Sequence, residues 1–446
     1  MIAGYSIEVP LKKLPTILPK RKLKADKSMK LNPLIFLIVI SIATWGKADN
    51  WPQWRGPTGD SVVAPGAYPT EFSKDENVRW KIKLPGLGSS TPIIWDKNIF
   101  VTGGDNGNDS VQSYDWNGKL NWKMTFGPER PGKHKNGSGS KSSPITDGKN
   151  LYVYFKSGTV ASLTLDGKLN WKLNLQEKFG EDTLWWDLGT SPVLAGGNLV
   201  IAVMQEGESY IVALNLEDGS VNWKADRTFP VQKESGQSYT TPIVTEIDGQ
   251  ETIVIWGADR LSGHHPKNGK LIWKCEGFNP EDNPMWRVIA SPGVTNGIAV
   301  IPYGRTKFCA GVKLGGSGDI TSTRRLWERN DLGADCPTPV GRDGKMIVLS
   351  DKGQLNYLNA ETGKDFWQDA IPRARAKYYS SPILAGDLLY CAREDGVVTV
   401  IKVNDNGMEI VAQNEMGEKI AATPVFSDGR ILLRGAEHLY CIGSDN

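Results

Sequence analysis

Cysteine is scarce in this chain and poorly placed for a framework. Among 446 residues there are five, at 275, 309, 336, 391 and 441. None are adjacent, no Cys-x-x-Cys occurs, and an odd number leaves at least one thiol unpaired within the chain. That excludes a disulfide scaffold, a Cys-based zinc site and a covalently attached haem, and leaves buried thiols acting as small apolar side chains. Histidine is rarer still, with four copies. Long apolar runs are missing: residues 34–43, LIFLIVISIA, fall well short of the ~20 that cross a bilayer. An excess of one charge is also missing. Nine Lys/Arg and two acids crowd into residues 1–48, leaving 43 basic and 48 acidic residues in the rest. A mildly acidic body without a basic block argues against a nucleic-acid partner. Gly and Pro are abundant, at 49 and 26, but follow no Gly-X-Y period. Collagen is excluded, and many turns between short strands are expected.

Residues 1–48 read as a signal peptide. Lys30 precedes the apolar run, and Gly46-Lys47-Ala48 offers small residues for a cut after Ala48. A retained anchor is the alternative. Met29 begins a signal of ordinary length and is a candidate true start. No Cys precedes Cys275, so a lipid-modified Cys at the cut is not expected. The reading implies a periplasmic or secreted protein without a membrane span once the signal is removed.

The rest is a repeat. A small residue, a Pro and usually a β-branched residue recur at Thr91-Pro92, Ser143-Pro144, Ser191-Pro192, Thr241-Pro242, Ser291-Pro292, Thr338-Pro339, Ser381-Pro382 and Thr423-Pro424. Successive Pro residues stand 52, 48, 50, 50, 47, 43 and 42 apart. Each opens a short run of β-forming residues, followed by a second and a third. A tight turn comes next, as at Asn117-Gly118, Asp166-Gly167, Asp218-Gly219, Asn268-Gly269 and Thr362-Gly363. Such dipeptides favour hairpins because both residues accept positive φ. Four residues past each of these Gly stands a Trp: Trp122, Trp171, Trp223, Trp273 and Trp367. The unit is a four-stranded antiparallel sheet whose Pro-led first strand lies on an edge. Radial repetition of such sheets makes a β-propeller.

The last copy stops after its third strand, while residues 78–82, VRWKI, supply a fourth strand and its Trp with nothing before them. Pairing the two closes an all-β, eight-bladed propeller over 77–446 and removes two open edges. Residues 49–76 form an N-terminal lid segment. Within it, Trp51-Pro52-Gln53-Trp54-Arg55-Gly56-Pro57 is expected to pack on the propeller face, with a ligand role for Arg55 as the alternative. Two copies depart from the pattern. The fifth stretches to Gly318-Asp319-Ile320 before Trp327, and the seventh has Ile410-Val411 where a Trp is due. Both are expected to be looser blade contacts.

The Pro-led strand with x-x-Gly-Lys-x-x-Trp resembles the repeats named after pyrroloquinoline quinone enzymes, from Trp80 to the C-terminus. The 51–57 motif is similar to the opening of secreted planctomycete-type propellers. The resemblance extends to the propeller lipoprotein of the outer-membrane β-barrel assembly machinery, which binds protein partners. It implies that the Trp packs between blades. True quinoprotein dehydrogenases carry an adjacent Cys-Cys, a Glu/Asn/Asp calcium set and a catalytic Asp. This chain has no Cys-Cys pair, so neither pyrroloquinoline quinone nor any other cofactor is expected.

Catalytic patterns are equally sparse. Gly137-Ser138-Gly139-Ser140 is out of register for a nucleophile elbow. His264-His265 are neighbours on a strand and point to opposite faces, so they are not expected to hold one metal ion. The loops before first strands and after second strands share one face of a propeller. There the sequence offers Trp185 and Trp186, with Arg305, Arg393 and Arg434, which we take as candidate ligand-binding residues. Either these Trp bind or they plug the channel. A protein or polysaccharide partner at the channel mouth is expected, with the molecule a monomer and no catalytic centre of its own; a quinone-dependent oxidoreductase or a polysaccharide-acting accessory protein is the alternative.

Overall fold

Continuous apolar runs and alternating runs fall on different strands of the same sheet, and this fixes which strand faces what. In the third repeat Asn198–Val203 is buried throughout, while Val221–Asp226 alternates between half-buried and exposed. Inner strands are covered on both sides and outer strands on one, the arrangement of a ring of packed sheets. The computed structural model describes residues 49–135 and 137–443, so the segment 1–48 expected to be a signal peptide lies outside the described residues.

Eight sheets form the ring. Blade 1 starts at Thr91-Pro92, and the numbering follows the Ser/Thr-Pro copies to blade 8. Blade 3 is typical, with Val193–Ala195, Asn198–Val203, Tyr210–Asn215 and Val221–Asp226 as an antiparallel meander from the axis outward. Blade 8 takes its outer strand from the other end of the chain: Val78–Lys83 pairs antiparallel with His438–Ile442, Trp80 opposite Cys441. The closure expected from the sequence is therefore present.

Indoles link the blades. The Nε1 of Trp80 donates to the Trp116 carbonyl at 2.8 Å, Trp122 to Leu165 at 3.0 Å, Trp171 to Leu216 at 3.0 Å and Trp223 to Pro266 at 3.1 Å. Each acceptor sits in the last turn of the following blade, and the ring lies over that turn's Gly. At Gly167, φ is +88° and an added methyl would meet the Trp122 ring at 2.5 Å. Only glycine meets both demands.

The two irregular copies need correcting. Blade 5 is not looser at its own Trp: Trp327 donates to the Ala360 carbonyl of blade 6 at 2.8 Å. What changes is the surface offered to blade 4. Gly318–Asp319 pairs parallel with Leu271–Cys275, adding a fifth strand to that blade, and Trp273 is fully buried beneath it. In blade 7 a bulge shifts the register, so Ala412, opposite Val400, holds the place that Trp223 holds opposite Ala213 in blade 3. There is a physical reason for the missing indole. Blade 8 draws its third and fourth strands from opposite ends of the chain, so no hairpin turn exists there to receive one.

The N-terminal segment crosses the channel. Trp51 exchanges backbone hydrogen bonds with Ile94 of blade 1, and the Pro52 carbonyl accepts from Thr146 of blade 2. Arg55 then reaches blade 6, donating to the Pro339 carbonyl at 2.7 Å. Val62–Val63 pairs parallel with the first strand of blade 7. Blades 2 and 6 stand opposite one another, so the chain passes over the axis and closes one end. Arg55 is buried, and its remaining donors go to the Asp60 carbonyl and Ser61 Oγ. Burial pushes its pKa down to about 10, opposed by Asp60.

Candidate functional site

The Ser or Thr before each Pro does more than mark a strand. The backbone N–H of Thr91 donates to Ser143 Oγ at 2.9 Å, and Ser143 does the same to Ser191 Oγ at 2.9 Å. The pattern continues through Thr241, Ser291, Thr338 and Ser381 at 3.0 to 3.2 Å. Each hydroxyl thus satisfies the N–H of the preceding blade at the start of its edge strand, a group with no ladder partner. The repeat needs a short hydroxyl side chain there, and the outcome is a ring of hydroxyls around the axis.

All eight of these residues line one central cavity of about 370 Å³. The residues two positions earlier line it too: Ser89, Lys141, Gly189, Tyr239, Ile289, Cys336, Tyr379 and Ala421. Side chains two apart on an extended chain point the same way, so the second set forms a tier beside the hydroxyls. Trp54 from the crossing segment also lines the cavity. The hydroxyl tier follows the repeat, whereas the second tier differs at almost every blade.

Charged residues stand in and around the cavity wall. Asp187 has a fully buried side chain and accepts from Lys156 Nζ at 2.8 Å and Lys133 N at 2.7 Å, with Lys141 Nζ at 3.2 Å. Burial alone would raise its pKa, but Lys141, Lys156 and the backbone donor hold it below the ordinary value. Arg287 joins Glu234 at 3.2 Å and Asp335 at 3.4 Å, and its guanidinium lies 5.7 Å from the Trp186 ring. The His134 ring meets Trp186 edge-on at 6.0 Å and Tyr379 at 5.9 Å. Lys135 pairs with Glu394 of blade 7 at 2.6 Å. A loop of blade 2 therefore reaches across the mouth.

One group of acids and a thiol converges at this wall. Ligand atoms of Asp335, Cys336 and Asp351 lie within 4.8 Å of one another. Calcium prefers six to eight oxygen ligands, and this set fits it poorly. Burial raises the Cys336 pKa well above the usual thiol value, so it is a neutral thiol. One Asp351 oxygen already accepts from the N–H groups of Asp335 and Cys336, and Arg287 pairs with Asp335. His264 is engaged elsewhere, with Nε2 at Ser262 Oγ and Nδ1 at the Gly269 carbonyl, and burial pushes its pKa down to about 4.

Of the five residues singled out from the sequence, Trp186 lines the cavity and the other four do not. Trp185 is 60% exposed, its ring facing Lys133 at 5.3 Å and its backbone N–H donating to Gln237 Oε1. Arg305 pairs with Glu234 at 2.9 Å and donates to the Met285 carbonyl. Trp185 and Arg305 therefore flank the same turn of blade 4, residues 234–237. Arg393 is clamped by Asp395 through two hydrogen bonds. Arg434 is fully buried and donates to the Ser90 carbonyl, and burial pushes its pKa down to about 9. The cavity residues passed over were legible by a simpler rule, two positions before each Ser/Thr-Pro.

The family model described as outer membrane protein assembly factor BamB matches residues 58–226, 107–334 and 316–410. Among solved structures, BamB from Moraxella catarrhalis is similar at 16% identity and a TM-score of 0.58, covering 82% of this chain and 98% of that one. A europium-containing methanol dehydrogenase is similar at 10% identity and a TM-score of 0.67, covering 89% and 98%. A quinohemoprotein alcohol dehydrogenase from Comamonas testosteroni gives 13% identity and a TM-score of 0.63, covering 89% and 81%. At such identities the likeness is one of fold. No curated protein sequence matches the chain.

Proposed function

The chain belongs to the family described as outer membrane protein assembly factor BamB, and from that premise we propose an exported propeller that binds a protein partner through its loop rim. The observation that carries the reading is the exposed Trp185, joined through the 234–237 turn to the Arg305 and Met285 rim of blade 5. Met285 is 44% exposed, and Arg305 is held over it through the Glu234 ion pair. Exposed Trp, Arg and Met on ordered loops are the composition of interface hot spots. The ordered network behind them lowers the entropy that docking would otherwise lose.

The partner we favour is a component of outer-membrane protein assembly, met in the periplasm by a monomeric propeller. No helix among the described residues is long and apolar enough to cross a membrane. The sequence of residues 34–48 supports export. In this reading the protein works without a catalytic centre and without a quinone: its residues supply no adjacent Cys pair, and the carboxylates nearest the cavity are engaged by Lys, Arg and backbone donors. The test is binding of the purified protein to the barrel-assembly protein of its own organism. Trp185→Ala should weaken the complex by roughly 1–3 kcal/mol while leaving the melting temperature unchanged. A complex unaffected by both Trp185→Ala and Arg305→Ala, or no complex at all, overturns the proposal.

A further inference from the structure

The central cavity lies inward of the Trp185 and Arg305 surface, with Glu234 paired to Arg287 on one side and Arg305 on the other, and its chemistry is of another kind. Three cations (Lys141, Arg287, Lys377) and three carboxylates (Asp187, Asp335, Asp351) belong to its lining. Arg287 stands against Asp335 and Lys141 against Asp187. A ligand with a strong charge of either sign would meet its own sign as readily as the opposite one. The cavity therefore favours a molecule without net charge. An apolar molecule fits no better, because a ring of Ser and Thr hydroxyls runs round the cavity. Flat apolar faces are present as well, from Trp54, Trp186, Tyr239 and Tyr379.

Polar groups at one wall sharpen the choice: Asp335 and Arg287 belong to the lining beside the hydroxyl ring. Planar carboxylates and guanidinium groups also match pairs of neighbouring hydroxyls, and the volume of about 370 Å³ lies in the range of small-ligand pockets.

We propose that this cavity is a binding site for a small neutral polyhydroxyl molecule, a monosaccharide or disaccharide, held against the aromatic wall formed by Trp186, His134 and Tyr379 with its hydroxyls on Asp335, Arg287 and the hydroxyl ring. The site is separate from the rim around Trp185 and does not depend on a protein partner docking there.

Glucose and maltose are suitable probes, with sodium glucuronate as the charged comparison. Titration calorimetry and thermal unfolding of the intact protein should show saturable binding of a neutral sugar and a raised melting temperature. Ile289→Trp, which fills the cavity from blade 5, should abolish both effects. If that variant does not fold, Ala421→Phe fills the same space from blade 8. Asp335→Asn should weaken sugar binding by about tenfold through loss of a charged acceptor. Trp185→Ala should leave it unchanged, which separates this site from the rim. The idea fails if neither sugar binds at millimolar concentration, if binding survives filling of the cavity, or if glucuronate binds more tightly than the neutral sugars.

Discussion

Asp109 is a residue whose surroundings disagree with its charge. It is fully buried in blade 1, one carboxylate oxygen accepts from Ser157 Oγ at 2.5 Å, and the other has no partner among the described residues. Burial raises its pKa to about 7, with Glu129 adding to the effect and the Ser157 hydrogen bond opposing it. Asp351 behaves alike, raised to about 6 by burial and by Asp335. A carboxyl whose pKa is raised by folding holds its proton more tightly in the native state. Its charge therefore costs stability above pH ~7, and the cost fades as pH falls toward the unfolded value near ~4. Asp109→Asn should melt higher than the parent at pH 8, and the gap should narrow through pH 5 and close only near pH ~4. A gap that is constant across this range would show that Asp109 is not the titrating group. Asp109 does not announce itself in the sequence, because a carboxylate in a strand reads the same whether or not a serine from the next blade reaches it. Arg434 shows the same limit: a guanidinium after a second strand reads as a loop-face charge, and its closest acceptor, at Ser90, is 344 residues away.

At the scale of the element, the Gly-to-Trp interval made the blades legible because both residues serve one contact. The turn requires positive φ, and the indole of the preceding blade requires a surface without Cβ. Trp122→Ala should remove that packing and the hydrogen bond to Leu165, costing roughly 3–5 kcal/mol by chemical denaturation. The converse substitution tests the reason given for blade 7. Ala412→Trp restores the repeat in the sequence yet faces a blade with no hairpin turn, so it should give no gain in stability. A clear rise in melting temperature would show that a receiving surface exists there after all. Spacing alone misplaced this position by one residue, since the bulge between Val400 and Ile401 is invisible without the partner strand. It also missed that the blade 5 insertion adds a strand to blade 4, a pairing between segments about 45 residues apart. The cavity tiers were recoverable from the repeat. The rim was only partly so, because loops carry no periodicity and their contacts are set by neighbours from other blades.

For the whole molecule, the N-terminal stretch joins two tasks that truncation can separate. Residues 49–76 close one end of the channel and pack on blades 1, 2, 6 and 7, burying Trp51, Arg55 and Phe72. Val78–Lys83 completes blade 8 and joins the two ends of the ring. Without the first segment each blade keeps its four strands, and the ring still closes. Without the second, His438–Ile442 becomes an open edge, and Trp80 no longer links blade 8 to blade 1. A ring gains its stability from every blade having two neighbours, so one missing link affects more than one sheet. A protein lacking 49–76 should unfold at a lower temperature but still in one cooperative step by calorimetry. Removing 77–83 as well should broaden or abolish that step and promote self-association through the exposed edge. A synthetic peptide spanning 77–84, added to the shorter protein, should restore the sharp transition. If the two truncated proteins unfold alike, the ring does not depend on this strand for its cooperativity, and the closure seen in the structure contributes little to holding the eight blades together.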